Sequence, residues 1–197
     1  MSIRFAVLGV LSSQPMTGYD MARYFKESVG TLWPASPAQT YQELRRLESE
    51  GLISGNAAPR GRLAEKRVYE LTAAGRQTLR LFVLKPYGYP VERDGFRLQF
   101  VYFDLVPAGV AREHLTAHIA HYRLRIEQLN ARIDGIKKRR SVLMQARLRH
   151  RQTDDHDAIV AFRAHALEAQ VMTAQAEIAW AKKGLLLVSK LERARSK

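Results

Sequence analysis

Apolar positions follow two regimes along this chain of 197 residues. Up to about residue 84 they come in short clusters broken by turn-forming residues, whereas beyond Pro107 they recur in steps of three and four over long stretches. The first regime predicts several short elements and the second predicts long helices. Phe5, Val7, Leu8, Val10 and Leu11 form a short apolar helix that ends near Ser12, before Gln14 and Pro15. Thr17 caps a second helix in which Met21, Tyr24 and Phe25 share a face, closing over residues 28–31. Ser36-Pro37 opens a third, because serine can accept the first free amide donors and proline brings its φ already set. That helix runs to Glu50 and stops at Gly51, with Thr40, Leu44 and Leu47 towards the core and Gln39, Gln42, Arg45, Arg46 and Ser49 outward.

Leu52 to Ser54 and Lys66 to Leu71 read as the two strands of a hairpin, joined by a long loop holding Gly55, Asn56, Pro59 and Gly61. Its tip is basic, with Arg60, Arg62, Lys66 and Arg67, although Leu63-Ala64-Glu65 interrupts the basic run. Thr72 caps a fourth helix, carrying Leu79, Leu81, Phe82 and Leu84, which ends before Pro86. Residues 85–95, with Pro86, Gly88, Pro90 and Gly95, form a linker. The expected organisation is a first domain over residues 1–84, that linker, and a helical domain over residues 96–197.

In the second domain Phe96 to Leu105 fits a helix through Phe96, Phe100 and Phe103, and also an alternating strand; helix is the reading adopted. Leu115, Ile119, Tyr122, Ile126, Leu129, Ile133 and Ile136 then follow the spacing of a coiled-coil seam, which breaks at Arg140 and resumes at Leu143. Gln152 to Asp157 is a polar, acidic loop, after which Ile159, Phe162, Ala166, Ala169, Met172, Ala176, Ala179 and Trp180 mark a second long helix. A hairpin of two helices needs further helices to bury so long a seam, and a second copy of the chain supplies them. Leu115, Ile119, Tyr122, Ile126, Leu129, Ile133, Ile136, Phe162, Ala169 and Trp180 are therefore the expected dimerisation residues.

Charge changes the picture by naming a partner class. A formal net charge of +13 favours a polyanion, because clustered Lys and Arg release counterions from phosphate. The absence of cysteine excludes disulfides, thiolate nucleophiles and Cys-ligated metals. No signal peptide and no uncharged apolar run long enough for a bilayer is legible, so a cytoplasmic protein with no membrane partner is expected. Three helices and a hairpin in that order within about 80 residues read as a winged helix-turn-helix. Its third helix would enter the major groove of double-stranded DNA, where Gln pairs with adenine edges and Arg with guanine, while the basic wing meets phosphate.

Four blocks carry a resemblance: Gln14-Pro15-Met16-Thr17-Gly18-Tyr19-Asp20; Leu32-Trp33-Pro34-Ala35-Ser36-Pro37-Ala38-Gln39-Thr40-Tyr41; Leu44-Arg45-Arg46-Leu47-Glu48-Ser49-Glu50-Gly51-Leu52-Ile53; and Arg67-Val68-Tyr69-Glu70-Leu71-Thr72-Ala73-Ala74-Gly75. In order and spacing they resemble the PadR family of transcriptional regulators. The long C-terminal helices resemble the larger subgroup, whose dimerisation arm is related to virulence-activator C-terminal domains. The fold class expected is mainly α, a winged helix-turn-helix followed by a long α-helical hairpin that dimerises. The resemblance implies that Ser36, Pro37, Gln39 and Tyr41 face DNA, with Tyr19, Lys66 and Arg67 on its backbone and Arg45 and Arg46 beside them. It also implies a repressor more often than an activator, acting as a homodimer on a pseudo-palindromic operator.

Other chemistries find less support. No G-x-S-x-G, P-loop or dinucleotide fingerprint is present, so neither enzymatic activity nor a cofactor is expected. His114, His118 and His121 share a helix face, and Asp154, Asp155 and Asp157 cluster around His156. Exposed histidines beside the seam and acids before a helix N-terminus explain these without a metal site. Residues 123–151 are strongly basic, a solvated face or a second contact with flanking DNA. Trp33, Phe96, Phe100 and Phe103 cluster near the predicted junction, where a small aromatic or hydrophobic effector is expected to bind. Two alternatives stay open: a sequence-independent architectural DNA-binding protein, and a protein-interaction module on the same fold.

Overall fold

The computed structural model describes residues 3–27, 32–60, 64–89, 91, 93–149 and 153–195. They divide into two compact units, residues 1–88 with 142–151 and residues 89–141 with 152–197.

The first unit contains α1 (Arg4–Leu11), β1 (Met16–Thr17), α2 (Gly18–Glu27), α3 (Pro37–Ser49), β2 (Ile53–Arg60), β3 (Ala64–Leu71), α4 (Ala73–Leu84) and α7 (Val142–Arg149). Its core collects Val7, Leu8 and Leu11 of α1, Met21 and Phe25 of α2, and Leu44 and Leu47 of α3, with Leu52 and Ile53 at the root of the hairpin. The predicted caps form. Asp20 N donates to Thr17 Oγ1 at 3.1 Å, and Gly75 N to Thr72 Oγ1 at 3.1 Å. Gly51 ends α3 with φ 70°, the left-handed conformation that glycine takes at least cost.

Three features depart from the expectations. The sheet has three strands, because β1 pairs antiparallel with β3 through Met16↔Tyr69 and Thr17↔Val68, giving the order β1-β3-β2. The wing strands are also longer than predicted, paired from Ile53↔Leu71 out to Arg60↔Ala64, so Gly55, Asn56 and Pro59 lie in strand rather than loop. At the far end of the wing Pro59 sits at an outer edge, where a missing N–H costs no ladder bond. Finally, Leu143 does not resume the helical seam: it is buried in the core of the first unit. The helical pattern breaks at Arg139, which takes φ 54°, a left-handed conformation that a right-handed helix cannot continue through. The predicted closure of the second helix over residues 28–31 lies outside the described residues, as do Arg62, Leu63 and Gln152.

The second unit contains α5 (Gly95–Val101), a 3-10 turn (Phe103–Leu105), α6 (Ala108–Lys137), a second 3-10 turn (Thr153–Asp155) and α8 (His156–Arg195). Asp94 caps α5, accepting from Arg97 N at 2.9 Å, so the helical reading of Phe96 to Phe100 holds. The acidic loop is shorter than expected: Thr153–Asp155 makes a 3-10 turn and α8 already begins at His156, with Asp157 in its first turn. Helices α6 and α8 pack along their length. Ala111, Leu115, Ile119, Leu129 and Ile133 of α6 are buried with Ala164, Leu167, Ala181 and Val188 of α8 in two clusters. Among the described residues no helix is long and apolar enough to cross a membrane.

Candidate nucleic-acid interface

Helix α3 starts with both halves of a capping box. Ser36 Oγ accepts from Gln39 N at 3.2 Å, while Gln39 Oε1 accepts from Ser36 N at 2.9 Å. Thr40, Glu43, Leu44 and Leu47 are its buried positions. With about 3.6 residues per turn, the stripe directly opposite is Ala38, Gln42, Arg45 and Ser49. All four are exposed, and Tyr41, Gln39 and Arg46 flank them.

This geometry sorts the expected residues. Gln39 has its side-chain carbonyl engaged by the cap, so it cannot present the paired acceptor and donor that an adenine edge requires while the box is closed. Gln42, on the outward stripe, carries the unengaged amide. Arg46 donates to Glu50 at 3.1 Å, one turn on, whereas Arg45 projects from the outward stripe. Tyr19 is 68% and Tyr41 38% exposed. Tyr41 lies against the start of α2, where a β-carbon added to Gly18 stands 2.5 Å from its Cε1. Ser36 and Pro37 are exposed at the N-terminal turn, whose free amides favour a phosphate.

The hairpin is tied to the back of α3 by one carboxylate. Glu48 Oε1 accepts from Gly55 N at 2.9 Å and from Arg67 Nη2 at 2.5 Å. The Glu48 hydrogen bond raises the Arg67 guanidinium above its ordinary value, and burial raises the Tyr69 phenol. Arg67 thus anchors the wing to α3, while Lys66, exposed beside it, has an open side chain among the described residues. Arg60 lies at the end of β2 and Arg62 outside the described residues.

Two buried or half-buried charges escaped the sequence reading. Glu43 is buried within α3 and receives Arg4 Nε at 3.4 Å, while Arg4 Nη2 reaches Glu50 Oε1 at 2.5 Å. The signal was available, because Glu43 falls on the apolar face three residues after Thr40 and four before Leu47.

In the second unit the seam residues Leu115, Ile119, Leu129 and Ile133 are consumed inside the chain against α8. Tyr122, Ile126, Ile136 and Trp180 are half-buried, and Phe162 and Ala169 are exposed. Phe96, Phe100 and Phe103 come together around Trp180. Phe96 stacks on His118 at 4.3 Å, and Phe100 meets Phe103 and Trp180 edge-on, each at 5.2 Å. Arg97 lies 4.8 Å over Trp180 and holds Glu177, which also accepts from His118 Nε2 at 3.2 Å. These rings fill one another's space. Trp33 belongs to the first unit.

Part of the basic stretch is paired locally. Lys137 pairs with Glu168 at 2.8 Å, Lys138 with Asp134 at 2.7 Å and Arg139 with Asp157 at 2.6 Å, while Arg125 donates to Gln170. Among the described residues no group of His, Asp and Glu has the arrangement of a metal site.

Comparison with known proteins places these observations. Residues 7–81 match the model of the Transcriptional regulator PadR-like family. The Negative transcriptional regulator PadR of Bacillus subtilis (strain 168) is 36% identical over 98 residues, which are 49% of this chain and 54% of that protein. The chain spans about half the length of the curated relatives it matches. Three solved structures share the fold over nearly the whole chain. Bacillus subtilis PadR in complex with operator DNA superposes with a TM-score of 0.74 and 23% identity, covering 94% of this chain and 98% of that one. The same regulator in complex with p-coumaric acid gives 0.67 and 21%, covering 95% of each chain. The Vibrio cholerae virulence activator AphA gives 0.68 and 24%, covering 96% of this chain and 99% of that one. The fold is a winged helix-turn-helix followed by a long helical hairpin, and residues 7–81 match the PadR-like family of transcriptional regulators.

Proposed function

We propose that this protein is a sequence-specific DNA-binding transcriptional regulator, a repressor that acts as a homodimer on a pseudo-palindromic operator. The observation that carries this reading is the outward stripe of α3. Gln42 and Arg45 stand there on a helix whose N-terminal turn is capped, exposed and free of acidic side chains. Inserted into the major groove, Gln42 reads adenine and Arg45 guanine, while Ser36, Pro37, Tyr19 and Tyr41 meet the backbone. Gln39 holds the turn in shape, and Arg46 acts from the flank of α3. Lys66, with Arg60, Arg62 and Arg67, extends the contact along the wing. The solved complex of Bacillus subtilis PadR with operator DNA supports the same use of the fold.

The homodimer rests on α8, which is apolar on two faces. One stripe is spent on α6, and the other, Phe162, Ala169, Met172, Ala176 and Ala179, is exposed at heptad spacing. Phe162 is 78% and Met172 69% exposed, which a second hairpin would cover. Two winged units on one two-fold axis then match a two-fold operator. Release by a small aromatic or hydrophobic effector completes the reading, supported by the p-coumaric acid complex of the same relative.

The test is a fluorescence-anisotropy titration against the chain's own upstream intergenic DNA and a scrambled duplex at near-physiological salt. Preference for the upstream DNA of about a thousandfold is expected of a specific regulator. Equal, weak binding to both duplexes would instead favour the architectural alternative.

A further inference from the structure

Three carboxylates in and at the end of α3 sit beside guanidinium groups, and among the described residues one of them reaches the wing. Glu43 and Glu50 pair with Arg4 of α1, and Glu50 also with Arg46. Glu48 crosses to the hairpin instead. Its Oε1 accepts from Gly55 N of β2 at 2.9 Å and from Arg67 Nη2 of β3 at 2.5 Å, so one oxygen holds both wing strands. The strand is shaped for this. A β-carbon on Gly55 would stand 2.5 Å from that oxygen and 2.4 Å from Arg67 Nε, so glycine leaves the room that the carboxylate and the guanidinium share. Arg67 spends one N–H donor on the clamp and keeps 57% of its side chain exposed.

The place of this clamp along the wing gives it reach. Strand β1 supports β3 at Tyr69 and Val68, the level of Gly55 and Asn56. Outward from there two strands continue alone to Arg60↔Ala64. A two-stranded ribbon twists more than a wider sheet and holds its direction poorly by itself. At about 3.3 Å per residue the ribbon extends about 16 Å beyond Gly55. A tilt of about 10° at the clamp moves its end by about 3 Å, the length of a hydrogen bond.

We propose that Glu48 is a positioning residue that determines specificity: it fixes the wing and Arg67 against the helix that carries Gln42 and Arg45, so that phosphate and base contacts are made together. Glu48 itself touches no DNA in this role, and the inference rests on the DNA-binding reading above. Its signature is a sign. Removing an acid from a DNA-binding unit raises affinity for any duplex by general electrostatics. Opening the clamp lowers affinity for the operator alone, because contacts that are no longer preorganised must be ordered at the moment of binding.

The experiment titrates the full chain and its Glu48→Gln and Gly55→Ala variants against the upstream intergenic duplex and its scrambled counterpart, with melting temperatures recorded alongside. Glu48→Gln keeps an acceptor for Gly55 N and releases Arg67, whereas Gly55→Ala opens the clamp with every charge retained. Each should weaken upstream binding about tenfold, the worth of one charge-assisted hydrogen bond. Affinity for the scrambled duplex should stay level in Gly55→Ala and stay level or rise in Glu48→Gln. A folding defect lowers binding to both duplexes alike, so the ratio of the two affinities separates positioning from stability. In an Arg67→Ala background, Glu48→Gln should cost no further upstream affinity. An unchanged ratio in both variants, or upstream affinity that rises together with scrambled affinity, would overturn the positioning role alone. A parent chain that binds both duplexes equally overturns the regulatory reading and this inference with it, and the parent's own titration tells the two failures apart.

Discussion

Tyr41 of α3 lies so close to Gly18, the first residue of α2, that a β-carbon there would stand 2.5 Å from the ring edge. The approach of α2 to α3 depends on a missing side chain. Tyr41 remains 38% exposed, and in the proposed DNA-binding reading its hydroxyl is the group offered to a phosphate. Gly18→Ala should push the ring aside, because a contact that short forces one partner to move. Operator affinity should fall about tenfold, the worth of one phosphate hydrogen bond, with a smaller change in melting temperature. Tyr41→Phe, which keeps the ring and removes the hydroxyl, should reproduce the affinity loss in the same anisotropy assay. If it binds as the parent does, Tyr41 has no phosphate role.

The two glutamines of α3 should separate cleanly. Gln42→Ala and Arg45→Ala should each relax preference at one base pair by about 1–3 kcal/mol, read by titrating operators with single substitutions. Gln39→Ala removes half the capping box and should lower thermal stability by about 1 kcal/mol while leaving base preference in place. The opposite pattern would place Gln39 at the base edge with its cap opened on binding.

Gly75 predicts a stability effect at a distance from DNA. A β-carbon there would lie 2.0 Å from the Leu52 carbonyl oxygen, which also accepts from Thr72 Oγ1 at 2.9 Å. Backbone cannot swing away as a side chain can. Gly75→Ala should therefore cost about 1–3 kcal/mol or more by urea denaturation, and Thr72→Ala about 1 kcal/mol.

Acid should loosen the contact between α1 and α3 first. The hydrogen bond from Arg4, assisted by that from Arg46, holds the Glu50 carboxyl below the ordinary glutamate range. A carboxyl lowered in the folded state contributes stability above its unfolded value and loses it as pH falls through the folded one. Stability should decline as pH drops from about 5 towards 3, and Glu50→Gln should flatten that limb in urea melts recorded across the range. An unchanged slope in the variant would assign the acid limb to other carboxylates, with Asp94 and Glu168, also lowered, next in line.

A charge on the free stripe of α8 should separate the copies. Phe162→Glu with Met172→Glu leaves the α6 contacts intact, since neither residue belongs to the buried clusters. Sedimentation should report a dimer for the parent chain and a monomer of unchanged helicity for the variant. A dimer that survives would move the interface off this stripe.

How much was legible differs from element to element. Helices that begin at a capping residue and end at glycine or before proline were readable from local chemistry: Ser36-Pro37, Gly51 and Thr72 each act within one turn of themselves. So was the apolar face of α3, and with it the outward stripe that carries Gln42 and Arg45. β1 was not, because two residues carry no period and its pairing partner lies more than fifty positions away. In α8 the heptad spacing was real but doubled. The reading selected the exposed stripe through Phe162 and Ala169, while α6 took the stripe through Ala164, Leu167, Ala174 and Ala181.

The order of short capped helices, hairpin and long helices was thus determined by the sequence itself, since caps, glycine stops and apolar period act over a few residues. Tertiary structure decided which of two equivalent apolar faces is spent inside the chain, that Leu143 joins the first core, and that Arg67 of the wing is taken by Glu48 of α3. Each of these depends on a partner remote in sequence or on which of two competing partners is nearer. Such choices are made by packing and hydrogen-bond competition in the folded chain, and no local pattern encodes them.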